Sequence, residues 1–325
     1  MKTEKQVHDL IIIGAGPIGL YATFLAGYFK MDTLCLERDH NLGGQAMKLY
    51  PFKTIIDFPG YVEIKASDLI HILYNQATQF DNTKILTNVQ IESYQVDDNL
   101  ITLIDNNEKK YFTKYVLFTV GPGAFEPIKL DDSITKDITI NNVFYHHDNN
   151  YDAANKQIVI FGGGDSAVEY AHQIKTNFPT AIVNLVHRGE KLRAIIHDEN
   201  ELIESGVNLH LESELVAIDN NFYTIKNEEK MMSFPYDYGL VQFGLKSLGS
   251  PIHQWSNFDR HKLKFIVDEH CETSVPNFFA AGNCCYNPNK IDMIASGISE
   301  ATLAINYIYT KMNDNNHSFY SLKHK

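Results

Sequence analysis

The sequence predicts an α/β protein made of two Rossmann-like, three-layer nucleotide-binding domains, the second inserted into the first. Three observations predict it. The turns GAGPIG (14–19) and GGGDSA (162–167) each follow a continuous apolar run and open a helical pattern, the strand–turn–helix order that holds a dinucleotide. Gly/Pro-containing stretches at 121–123 and 244–251 punctuate the chain where it would leave one domain and return to it. The length of 325 residues suits two domains of ~100–200 residues each. The expected boundaries are 1–120 with 250–325 for the first domain and 121–249 for the second.

Taken in order, VHDLIII (7–13) is apolar enough for a strand buried on both faces. A helical pattern follows from Ile18 to about Lys30, then a strand TLCLE that ends at Glu37. LGGQAMKLYPFKTIIDFPG reads as loop-rich, and Ser67–Phe80 reads as a helix. ILTNVQIESY, NLITLID and KYFTKYVLFTV alternate as strands between short polar turns. The second unit repeats the plan with QIVIF, a helix to about Lys175, and AIVNLVHR, followed by strands NLHLESELVAID, FYTIKN and YGLVQFG. The last part holds a short strand, NFFAAG, and a helix from roughly Ile294 to Lys311.

In the first motif Gly14 makes the tight turn, Gly16 lets a pyrophosphate approach the backbone and Gly19 allows close helix–strand packing, with Pro17 suited to the first helical position. Phosphates are expected at the helix N-terminus. Glu37 falls at the end of the next strand, where a carboxylate accepts hydrogen bonds from ribose hydroxyls. The second motif carries Gly162, Gly164, Asp165, Ser166 and Ala167. Its following strand ends in His187 and Arg188 with Arg193 nearby, and no acid stands there. Cations at that position suit a 2′-phosphate, so the second site is expected to prefer NADPH to NADH. Plain surface charge is the competing reading of the two arginines.

Bulk composition excludes other classes. A formal net charge of −12 argues against nucleic-acid binding, which needs a cationic face. The run LIIIGAGPIGLYATFLAGYF follows an acid-containing start and is broken by Gly-Ala-Gly-Pro, so neither a membrane span nor a signal peptide is expected. Four cysteines, Cys35, Cys271, Cys284 and Cys285, form no CxxC, which points to a reducing, cytoplasmic setting. Adjacent Cys284 and Cys285 could close only a strained ring and are expected to be plain thiols. His146-His147-Asp148 lacks a matching ligand cluster and reads as a polar loop, so no metal is expected.

GAGPIGLYATFLAG, LGGQ–LYPFKTIIDFPG, GPGAFEP, GGGDSAVEYA, HRGEKLRA and AAG–CYNPNKIDMIASGISEATLAIN together resemble the type 2 ferredoxin–NADP reductases, thioredoxin-reductase-like flavoproteins, over nearly the whole chain. The resemblance implies a homodimer with FAD in the first domain, NADPH in the second, and ferredoxin or flavodoxin as the electron partner. By motif it places Gly14, Gly16, Gly19 and Glu37 on the adenosine half of FAD. It places Gln45 and Tyr50 beside the flavin, Val89 and Phe125 in contact with FAD, Asn283 at the ribityl chain or pyrophosphate, and Ser296 near the flavin. The tail HSFYSLKHK would bring Phe319 or Tyr320 over the flavin; a frayed end is the competing reading. Two positions depart from the family: Asn283 stands where an Asp is usual, and Gly189 where a second basic residue is often found. Hydride transfer to a flavin needs no protein acid or base, so no catalytic side chain is assigned. Thioredoxin reductases carry CxxC shortly before the second glycine motif; the corresponding NVFYHHDNNYDAANKQ has no cysteine, which disfavours a disulfide reductase. A diaphorase with another acceptor and a nucleotide-binding sensor without turnover remain as alternatives.

Overall fold

The structure, a computed structural model, describes residues 5–48, 53–135, 139–145, 151–194, 199–228 and 230–313, with the side chains of 124–125 and 247–248 not described. The chain divides into two compact units, 1–124 with 248–325, and 125–247.

In the first unit, strands Thr83–Leu86, Thr33–Leu36, Val7–Ile13, Lys110–Phe118 and Phe278–Ala280 run parallel in that order. Strands Leu100–Asp105 and Ile91–Asp97 extend the sheet antiparallel. Strand Lys110–Phe118 serves both parts. Its residues 110–113 pair with Leu100–Asp105, and Val116–Phe118 pair with Phe278–Ala280. The apolar run Leu10–Ile13 is needed because both faces of Val7–Ile13 are covered. Leu10 and Ile12 pack against helices Pro17–Tyr28, Ala66–Ala77 and Ile294–Met312, through residues such as Leu25, Leu73 and Ile305. Ile11 and Ile13 face the other way, into an aromatic layer, as the period of two demands. There Phe118 stacks on Phe265 at 4.6 Å between ring centres, and Phe258, Phe278 and Trp255 close around it. This layer fixes the end of the strand that leads to the site.

The second unit holds a five-stranded parallel sheet, ordered Val143–Phe144, Tyr238–Val241, Gln157–Phe161, Ile182–Val186 and Asn208–His210. Ile158 and Ile160 turn to the side of helix Asp165–Asn177, while Val159 and Phe161 face Tyr223 and Ile225 of an antiparallel three-stranded sheet. The expected single strand NLHLESELVAID is two, Asn208–His210 and Ser213–Ile218, because Glu212 adopts φ +49° between them and turns the chain into the second sheet. That sheet also gains a strand, Lys230–Pro235, absent from the sequence reading; its burial is weak, so no clear alternation marked it. The segment read as loop after Glu37 contains one short helix, Gly44–Lys48. Among the described residues no helix is long and apolar enough to cross a membrane.

Candidate functional site: two glycine-built dinucleotide cradles

The first cradle is made of backbone packed too tightly for side chains. Gly14 has φ +105°, and a Cβ there would lie 2.6 Å from the Thr119 carbonyl oxygen. A Cβ on Gly19 would come within 1.8 Å of the Gly14 carbonyl oxygen, so helix Pro17–Tyr28 rests directly on the turn. Thr119 locks that turn, its hydroxyl 2.7 Å from the Gly14 carbonyl and 3.1 Å from that of Ile13. Gly16 is the N-cap of the helix and offers no side-chain cap, with Pro17 next, so the first-turn N–H groups are left for an anion.

Glu37 is only 8% exposed. Its carboxylate accepts the Ala15 N–H at 2.7 Å and the Asp39 N–H at 2.9 Å. It therefore ties the glycine turn to the end of its own strand and keeps further lone pairs for ribose hydroxyls. Asp39 in turn meets Arg38 at 3.3 Å and Lys48 at 3.2 Å; burial works against its charge, but these two cations prevail and hold its carboxyl below the usual range. Val89 donates its N–H to the Glu37 carbonyl at 2.9 Å while its side chain is buried in the apolar layer.

Two further segments of the same unit converge on this turn. The Gly43 N–H donates to Ala15 O at 2.8 Å, and a Cβ on Gly44 would stand 3.2 Å from the Gly16 Cα, which brings Gln45 alongside the glycine turn. From the C-terminal part, Gly282 (φ +78°) and Gly297 both press on Ile18 of the first helix turn; a Cβ on either would lie within 3.1 Å of that side chain. Asn283 follows Gly282, and Ser296 precedes Gly297 in the first turn of helix Ile294–Met312, which also has no side-chain cap. The structure thus gathers Gly14, Gly16, Pro17, Gly19, Glu37, Gln45, Asn283 and Ser296 around one uncapped helix N-terminus. Tyr50, the tail with Phe319 and Tyr320, and His146–Asp148 lie outside the described residues, as does the side chain of Phe125.

The second cradle lies in the second unit. A Cβ on Gly162 would stand 2.5 Å from Gln242 O, and Ala167 is buried beneath, taking the place of the third glycine. Gly164 is the N-cap of helix Asp165–Asn177, again without a side-chain cap, and nothing stands within 4 Å of its Cβ position. Asp165 and Ser166 open the helix. His187 is 7% exposed and lies flat under Gly163, where a Cβ would be 2.3 Å from its Nδ1. Burial, then the charge of Arg193 and Arg188, pushes the imidazole pKa down, so the ring is neutral at pH 7. Both arginines are exposed, and the Arg193 backbone N–H donates to Gly163 O at 2.7 Å, which returns the chain at Arg193 to the edge of the glycine turn. Gly189 now has a reason: a Cβ there would lie 2.8 Å from His187 Nε2, so a larger residue would displace the ring.

Sequence reasoning missed Thr119, Ile18, Gly282 and Gly297, and it missed Lys290 and Glu300. Lys290 Nζ donates to Gly282 O at 2.6 Å, to Glu300 Oε2 at 2.7 Å and to Cys285 Sγ at 3.2 Å. Burial opposes that ammonium, but Cys285 and Glu300 outweigh it and hold the pKa above its ordinary value. The cysteines are free and buried. Cys284 donates its S–H toward Phe118 O and Ala281 O at 3.2 Å each, and burial pushes its pKa up to about 11. Burial pushes Cys35 and Cys271 up to about 12 and raises Cys285 further. Among the described residues no group of three His, Cys, Asp or Glu side chains is arranged for a metal.

A family model for pyridine nucleotide-disulphide oxidoreductases matches residues 8–306. The chain belongs to that family. This oxidoreductase is 33% identical over 321 residues to a ferredoxin–NADP reductase of Streptococcus suis, covering 95% of this chain and 96% of the relative. It is 34% identical over 313 residues to ferredoxin–NADP reductase 2 of Bacillus subtilis, covering 94% and 93%. Its fold is that of thioredoxin reductases: the Lactococcus lactis structure superposes with a TM-score of 0.71 at 22% identity, covering 94% of this chain and 99% of that one. The T. acidophilum structure gives 0.74 at 19%, covering 95% and 100%. As an oxidoreductase of this family the protein uses FAD and NADP(H). The cradles fit such groups: each offers a helix N-terminus without a side-chain cap, glycine backbone at the turn and, in the first, a carboxylate for a ribose.

Proposed function

We propose that the protein passes electrons from NADPH through FAD to ferredoxin or flavodoxin, with FAD in the first cradle and NADPH in the second. Arg188 and Arg193 would bind the 2′-phosphate and set the preference for NADPH. Gln45, Asn283 and Ser296 would line the FAD site in the first unit, together with Tyr50 and Val89. Bound FAD supplies the exchange between a two-electron donor and a one-electron acceptor. The chain's own part is to bind, orient and exclude water. A cytoplasmic homodimer is part of the same reading.

The observation that carries this choice of acceptor is the state of the thiols. All four are buried, free and held protonated, so no dithiol stands ready to take electrons onward to a disulfide substrate. Electrons are then expected to leave the flavin for an external carrier. The names of the two bacterial relatives support ferredoxin as that carrier.

The test is anaerobic. The purified flavoprotein should bleach on adding NADPH much faster than on adding NADH, and cytochrome c reduction should rise several-fold when ferredoxin or flavodoxin is supplied. Bleaching with no response to either carrier would assign the protein another acceptor.

A further inference from the structure

The turn Gly282–Cys284 is gripped by an ion pair that no glycine motif requires. Lys290 Nζ binds the carbonyl of Gly282 at 2.6 Å, and Glu300 Oε2 accepts the N–H of the same residue at 2.8 Å. Lys290 and Glu300 meet at 2.7 Å, closing a ring through one glycine. The third ammonium proton points at Cys285 Sγ, 3.2 Å away. The Lys290 side chain is 4% exposed and that of Glu300 16%. A pair so placed persists only when its donors are satisfied, and here every ammonium proton has an acceptor.

What the ring holds is specific. Gly282 sits at φ +78° and abuts Ile18 in the first turn of the uncapped helix Pro17–Tyr28. The next residue, Asn283, is half-buried, and its side-chain amide makes no hydrogen bond to another described residue. Glu300 comes from the helix whose Gly297 touches the same Ile18. An amide with no partner among the described residues thus directly follows the glycine packed on the first turn of an uncapped helix, and such an amide can both accept and donate hydrogen bonds to a ligand.

We propose that Lys290 and Glu300 are positioning residues for FAD: clamped on both polar groups of Gly282, they hold the Asn283 amide against the first helix turn, toward the cofactor's pyrophosphate or ribityl hydroxyls. The proposal rests on reading this turn as part of the FAD site. Neither residue touches the cofactor. Each acts through the backbone.

The experiment is FAD titration of apoprotein by flavin fluorescence for the full-length chain, Asn283→Ala, Lys290→Met and the double variant, with thermal melts of each apoprotein. Each single change is expected to raise the FAD Kd by about 10-fold, and the double variant to bind about as weakly as the weaker single one, because coupled residues are non-additive. Glu300→Gln keeps the shape and loses the charge; it is expected to weaken FAD in the same direction, and it stands in if Lys290→Met does not fold. An Asn283→Ala variant that binds FAD as wild type removes the turn from the FAD site, and the clamp falls with it. If Asn283→Ala weakens FAD but Lys290→Met and Glu300→Gln do not, or if the two losses simply multiply to about 100-fold, the clamp alone is overturned.

Discussion

Glu37→Gln separates two roles that one carboxylate performs. In the folded protein its two oxygens take two different N–H donors, Ala15 at 2.7 Å and Asp39 at 2.9 Å, in a setting only 8% exposed. Gln is nearly the same shape but has one carbonyl oxygen and one NH2 group. One N–H keeps its acceptor and the other meets a donor. Losing a hydrogen bond to a charged group costs about 1.5–3 kcal/mol, and a stranded buried N–H adds to it, so roughly 3 kcal/mol is expected. For a unit of this size that corresponds to a fall in apoprotein Tm of about 6–12 °C. Scanning calorimetry or circular dichroism of the apoprotein measures it without any cofactor. FAD affinity should fall separately, since the ribose would then meet a neutral amide. An apoprotein melting within ~2 °C of wild type, at ~2–4 °C per kcal/mol, would show that the two hydrogen bonds do not carry the turn.

Three other outcomes follow from the same geometry. Arg188→Ala and Arg193→Ala should each raise KM for NADPH by about 10-fold or more while leaving KM for NADH nearly unchanged, as removal of a charge-assisted phosphate contact requires; equal effects on both nucleotides would make them surface charge. His253 has both ring nitrogens buried without partners, and burial with the charge of Arg260 pushes its pKa down to about 4. A depressed basic group stabilises the fold above its unfolded pKa of about 6.5 and loses that contribution as pH falls toward 4, here about 1–2 kcal/mol after allowing for its partial exposure. Urea midpoints between pH 7 and 4.5 should therefore fall less steeply in His253→Leu than in wild type, and parallel slopes would refute the assignment. Iodoacetamide at pH 7.5 should label none of the four buried thiols in the native protein and leave NADPH-driven flavin reduction intact; rapid labelling of one cysteine together with loss of acceptor reduction would reopen a thiol route.

The parts legible in the sequence were those with a local cause. Continuous apolar runs marked the strands covered on both faces, Val7–Ile13 and Gln157–Phe161, and a glycine at each tight approach marked the turns between strand and helix. Weakly buried strands such as Lys230–Pro235 left no such trace. Gly189 looked like a lost basic residue. Its neighbour in space, His187, shows that the position has no room for a side chain unless the ring moves. Lys290 and Glu300 lie 8 and 18 residues from the glycine they grip, and only folding of the helix Ile294–Met312 against Pro17–Tyr28 brings them to it.

These cases share one physical reason. Both cradles start from backbone N–H groups at helices whose N-caps make no side-chain hydrogen bond, and the first adds the Glu37 carboxylate bonded across its turn. A capping side chain at each would add about 1 kcal/mol of stability and would occupy the donors a dinucleotide phosphate needs. Leaving them uncapped transfers the burden of rigidity to residues one step away: Thr119 behind the first turn, Glu37 across it, His187 beneath the second, and the Lys290–Glu300 ring at Gly282. Motif patterns record glycines such as Gly14, Gly19 and Gly162 because a Cβ at those positions would collide with backbone. They are silent on Thr119, Lys290 and Glu300 because several side chains could do each task, and which one does is decided by packing. Substitutions at Thr119, Lys290 or Glu300 should therefore change cofactor affinity through the backbone they hold, with every side chain assigned to the cofactor left in place.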